Sequence, residues 1–171
     1  SQDLKATVKE VNDESIKQAI SSQLWEVAIH RVRRSFEQTH GKNTFTLGEK
    51  NDIGSEIIVG GKNEGDKYRI KNDVVTMVYR HIHGNLIVIL TKDVIHTGNG
   101  YLSKSYSSQY LDPISKKDLK GKSWYKDDYK PLDKGGPWVL TSRSIHQESL
   151  EGSILNKQIF SFSELKSFNT K

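Results

Sequence analysis

Cysteine is absent from the 171 residues, which excludes disulfides, thiolate metal sites and cysteine nucleophiles. Apolar runs reach only a few residues, so no membrane-spanning helix and no signal-peptide core are expected. Charge of one sign is not gathered anywhere. The 26 Lys and Arg stand against 21 Asp and Glu, net +5, and the two signs interleave. Nucleic-acid binding would need a basic face, so the balance describes a soluble surface with mild attraction to anionic partners. A starting Met is also missing. The chain opens at Ser1 in what reads as folded structure, which predicts a processed or truncated N-terminus and a lost earlier strand.

What is present suits one domain over residues 1–171. The apolar fraction is 34%, or about 42% with the 13 Gly, enough for a single core. Leu4, Ala6 and Val8 alternate with Lys5, Thr7 and Lys9 as in a half-exposed strand. Asn12 and Asp13 then offer helix N-caps, and an uninterrupted helical stretch is expected from Glu14 to Thr39, stopped by Gly41. Its apolar residues divide between two faces: Ile16, Ala19, Ile20, Leu24 and Val27 on one, Trp25, Ala28, Ile29, Val32 and Phe36 roughly opposite. His30, Arg31, Arg33 and Arg34 form the densest basic cluster, either a solvated helix strip or a docking surface for an acidic partner.

Beyond Gly41 the pattern is antiparallel strand and tight turn. Asn72-Asp73 and Gly84-Asn85 read as two-residue hairpin turns, which fix register. Tyr68 would then face Met77, His81 would face Val88, and Tyr79 would face Leu90. One sheet face would carry Tyr68, Ile70, Val75, Met77, Tyr79, His81, His83, Leu86, Val88 and Leu90. The other would grade into Lys67, Arg69 and Lys71. Asp112–Gly136 reads as irregular, with a short polar strand near Trp124. Both faces of the later strands are apolar, so both need cover. A ligand cavity, closure of the sheet, a missing N-terminal segment or a second subunit would each supply it.

His81 and His83 have the i,i+2 spacing of strand metal ligands, but neither Val88 nor Leu86 opposite them can ligate, so no metal and no cofactor is expected. There is no G-x-S-x-G elbow. Gly60-Gly61-Lys62 resembles a fragment of a phosphate loop without its helix, and reads as a turn. Trp124, Tyr125 and Tyr129 lie among Lys and Asp and are read as packing against the sheet.

Five stretches resemble a family of uncharacterised proteins of cyanobacteria and plastids: residues 24–34, with Trp25, His30 and Arg34; 40–45, with His40 and Phe45; 59–62; 75–84, with Tyr79, His81 and His83; and 97–103, with Tyr101. The family implies no activity and no catalytic residues. It points to the cytoplasm or the plastid stroma. A helix beside a curling meander is also similar in topology to lipoprotein carriers, which hold acyl chains between sheet and helix. The expected fold is therefore α+β: an antiparallel β-meander forming an open half-barrel packed against one long N-terminal helix. The expected function is non-enzymatic binding of an apolar or amphipathic ligand, lipid- or pigment-like, by Tyr68, Met77, Tyr79, His81, His83 and Val88. The alternative is a scaffold that docks on a larger complex, such as a photosynthetic one, through His30, Arg31, Arg33 and Arg34.

Overall fold

The computed structural model describes residues 12–18, 40–82, 84–98, 100–135 and 138–161. The chain divides into two compact units, 1–41 and 42–171. In the first, a helical turn over residues 14–18 begins where the sequence places a cap. Asp13 Oδ1 accepts from the Ser15 and Ile16 amides at 2.9 and 3.2 Å, and Lys17 N donates to Asp13 O at 2.9 Å.

The second unit is one open nine-stranded antiparallel sheet in strict sequence order. Its strands are β1 (Phe45–Asn51), β2 (Gly54–Val59), β3 (Lys67–Lys71), β4 (Val74–Ile82), β5 (Asn85–Thr97), β6 (Gly100–Leu111), β7 (Asp118–Pro131), β8 (Trp138–Glu148) and β9 (Ile154–Ser161), with one 3₁₀ turn at Gly61–Asn63. The antiparallel meander is as the turn residues foretell. The α+β class is not. About two thirds of the described residues are strand, all in one antiparallel sheet, and no long N-terminal helix is among them. Residues 19–39, and with them most of the expected helix, lie outside the described residues. The helical reading rested on an unbroken run without Pro or Gly. Most helical stability in proteins comes from burying one apolar stripe, and this segment divides its apolar residues between two. The expected strand at Leu4–Val8 also falls outside the described residues.

Register follows the sequence at the first hairpin and then departs from it. Asn72 and Asp73 take φ of 49° and 61°, as a two-residue I′ turn requires, and Lys71 pairs with Val74 and Ile70 with Val75. Thr76 is then an extra residue. Its hydroxyl donates to Arg69 O at 3.2 Å and also reaches Ile53 O. Past this bulge Arg69 pairs with Met77, Tyr68 with Val78 and Lys67 with Tyr79. At the second hairpin Ile82 pairs with Asn85, so the two-residue connection is 83–84 and not Gly84-Asn85. That is a shift of two residues in pairing sum, which preserves faces.

Few side chains of the sheet are fully buried. Val59, Leu86, Leu140, Val74 and Tyr68 are the buried apolar residues, while most aliphatics of β4 and β5 are only half-buried. A polar cluster is buried as deeply as the apolar residues. Asp127 and Arg143, opposite one another on β7 and β8, are 0% and 3% exposed. Arg143 donates from Nε to Asp127 Oδ1 at 2.8 Å and from Nη2 to Oδ2 at 2.7 Å. Tyr129 donates to the same carboxylate at 3.1 Å, and Arg143 Nη2 also donates to Tyr106 Oη at 3.1 Å. Tyr106 stacks on Tyr125 with centroids 4.7 Å apart. Burial pushes the Tyr106 phenol well above its usual range. Burial works against the Arg143 charge, but hydrogen bonds to Asp127 outweigh it and hold the guanidinium ionised.

Candidate functional site

The pairing of β4 with β5 brings together most of the residues that the sequence nominates. Met77 pairs with Leu90, Tyr79 with Val88 and His81 with Leu86, so all six share one face as a continuous strip. Val88 and Leu90 continue onto Gln109 and Ser107 of β6. Met77, Tyr79, Val88 and Leu90 are half-buried and Leu86 is buried.

Polar groups gather around Tyr79. The Tyr79 and His81 rings meet edge to face, 5.9 Å apart at 82°. His81 N donates to Asp66 Oδ1 at 2.8 Å, and its Nδ1 lies 3.2 Å from the same oxygen. Arg80 Nε donates to the other Asp66 oxygen at 3.3 Å. A buried carboxylate thus orients the imidazole. Among the described residues no three His, Cys, Asp or Glu gather as a metal site. Two lysines neighbour Tyr79, one through its ammonium and one through strand pairing. Lys116, from the β6–β7 connection, places Nζ 5.7 Å from its ring centroid. Lys67 pairs with Tyr79 across β3–β4 and lies 3.8 Å from Glu56. Further along the face, Lys92 and Lys122 lie 4.0 and 5.3 Å from the Trp124 ring, and His146 stacks beside it at 6.1 Å.

One nominated residue, Tyr68, stands apart. The Thr76 bulge moves Tyr68 to the opposite face, with Val78 and near Arg80, where burial pushes its phenol up. It does not belong to the Met77–Tyr79 strip. The same bulge brings Lys67 and Arg69 onto the strip's own face, reversing their expected side; Arg69 Nη2 lies 3.2 Å from Glu56 Oε1. His83 and the basic set His30, Arg31, Arg33 and Arg34 lie outside the described residues. Lys116 and Lys67 were missed by sequence reasoning. Lys116 is separated from Tyr79 by 37 positions and no local pattern links them, whereas Lys67 was placed on the wrong face by the hidden bulge.

Gly60-Gly61-Lys62 enters a 3₁₀ turn, with Asn43 Nδ2 donating to Gly60 O at 2.7 Å. A shallow groove of about 290 Å³ opens at the β1–β2 turn, lined by Lys50, Asn51, Gly54, Ile70 and Lys71 among others; no residue of the strip lines it. No helix among the described residues is long and apolar enough to cross a membrane.

Comparison with known proteins finds no match among curated proteins or solved structures. A family model described as "Protein of unknown function (DUF3386)" matches residues 1–168, and the chain therefore belongs to the DUF3386 family.

Proposed function

We propose that the chain is a non-enzymatic binding protein for an amphipathic ligand, lipid- or pigment-like, with an anionic head group. The observation that carries this reading is the strip itself. Met77, Val88 and Leu90 form a half-buried apolar surface, and Tyr79 at its side is bordered by the Lys116 ammonium and pairs across the sheet with Lys67. Sites for such ligands are mostly apolar, with a few placed polar groups that fix orientation. The apolar body would lie along Val88 and Leu90, and the head group would meet Lys116, with Tyr79 and His81 offering polar tips. Tyr68 has no part in the site.

An origin in cyanobacteria or plastids, and residence in the cytoplasm or stroma, belong to this proposal through the family resemblance described above. So does the likeness to lipoprotein-carrier half-barrels, as far as an open antiparallel sheet carries it. Docking on a photosynthetic complex through His30, Arg31, Arg33 and Arg34 has no described residue behind it.

The test is titration with a fluorescent fatty acid. Saturable binding is expected, with loss in Val88→Trp, which fills the strip opposite Tyr79. Lys116→Glu, on an exposed connection, is expected to weaken the fatty acid more than the matching fatty alcohol. Absence of saturable binding by the parent chain, or binding indifferent to both substitutions in folded variants, refutes the reading.

A further inference from the structure

In a nine-strand meander, alternate connections fall at the same end of the sheet. The β2–β3, β4–β5, β6–β7 and β8–β9 connections therefore share one end. Two of them turn aliphatic side chains outward. Ile114 in the β6–β7 connection is 90% exposed, and in the β8–β9 hairpin Leu150 and Ile154 are 60% and 67% exposed. The two tips lie side by side. Gly121, at the base of the first, approaches the Glu148–Ser149 backbone so closely that a Cβ there would lie 2.0 Å from Glu148 O. Single exposed aliphatics are ordinary, but several at adjacent, tightly built turns are not.

Side-chain hydrogen bonds to backbone amides hold the β6–β7 tip. Asp112 Oδ1 accepts from the Ile114 amide at 3.1 Å and the Ser115 amide at 2.6 Å. Asp118 Oδ1 accepts from the Lys120 and Gly121 amides at 3.1 and 2.8 Å. Hydrogen bonds from Ser115 hold the Asp112 carboxyl below the usual range. Partial burial opposes ionisation at Asp118, but bonds from Gln109 and the two amides hold it low as well. Both carboxylates are thus turned onto their own backbone. Lys116, Lys117 and Lys120 are exposed around them. In the second tip, Glu151 is the exposed acid.

We infer that this end of the sheet docks on an anionic lipid bilayer surface, with Ile114 and Leu150 entering the interface and Lys117 and Lys120 facing lipid phosphates. The occupant follows from the pairing of charge and apolarity. Outward aliphatics flanked by lysines suit an interface that is apolar below and anionic above. This goes beyond the ligand reading and does not depend on it, although Lys116 joins the same tip to the Tyr79 end of the strip.

The experiment is co-sedimentation of the full chain with vesicles of phosphatidylcholine alone, or with about a third phosphatidylglycerol, at low and high salt, in the absence of fatty acid. Binding to the anionic vesicles only, weakened by salt, is expected. Ile114→Asp should weaken it at least about tenfold, from the lost burial of one isoleucine, and Lys117→Glu on the order of tenfold. Circular dichroism checks that both variants fold, and exposed tip positions should leave folding intact. Ile114→Asp should leave fatty-acid binding unchanged, while Val88→Trp should leave vesicle binding unchanged, so the two readings fail separately. No binding to anionic vesicles, or binding untouched by both tip substitutions, overturns the inference. Self-association without lipid that Ile114→Asp abolishes also overturns it, in favour of a second copy of the chain.

Discussion

Replacing Arg143 by Met isolates the one fully buried ion pair among the described residues. The substitution keeps much of the aliphatic volume and removes the guanidinium that meets Asp127 through two bonds of 2.8 and 2.7 Å. Asp127 is then a carboxylate at 0% exposure whose remaining described donors are the Tyr129 hydroxyl at 3.1 Å and the Tyr106 hydroxyl at 3.5 Å. Breaking a buried pair by removing one partner costs about 3–5 kcal/mol. The two tyrosines soften that charge, so the lower half of the range is expected. The contrast is Lys17–Glu14, a solvent-exposed pair at 3.2 Å, where Lys17→Ala should cost under about 1 kcal/mol. The double variant Asp127→Leu with Arg143→Met removes the orphaned charge and should recover most of the loss, because apolar replacement of a buried pair is often close to neutral. Urea unfolding midpoints with a common slope give all the values. A loss below about 1 kcal/mol for Arg143→Met, or a double variant as unstable as the two single losses combined, would refute the reasoning.

Two further outcomes follow from the interior. Because the Tyr106 phenol is raised above its usual range, the unfolded chain loses that proton first. Stability should therefore fall as pH rises above about 10, and Tyr106→Phe should reduce the steepness by about 1.4 kcal/mol per pH unit, read from midpoints across that window. Gly121 has φ of +80° and lies against the Glu148 backbone, so Gly121→Ala should destabilise by several-fold more than Gly152→Ala, whose φ is +87° with nothing within 4 Å; thermal midpoints separate them.

How much was legible depended on how local the signal was. Asn72-Asp73 could be read because both residues tolerate positive φ, and the pairing beside it is the expected one. The shared face of Met77, Tyr79, His81 and Val88 survived a misplaced second turn, since a shift of two in register does not exchange faces. The Thr76 bulge left no mark in composition, yet it exchanged the faces of Tyr68 and Lys67. β7 was read as mostly irregular because its Lys and Asp residues break the apolar alternation, although the strand runs for fourteen residues. Its polar face is what binds Arg143, sixteen positions away, and no spacing rule foretells that partner. The long helix was inferred from an unbroken run, of which residues 14–18 alone are among the described residues.

The most direct measurement of the ligand reading is a titration of the ¹⁵N-labelled chain with palmitate, followed by amide chemical shifts. The expected result is saturable movement centred on Met77, Tyr79, Val88 and Leu90, with Lys116 following and Tyr68 shifting less. Shifts confined to the β6–β7 and β8–β9 tips, or no saturable shifts at all, would contradict it.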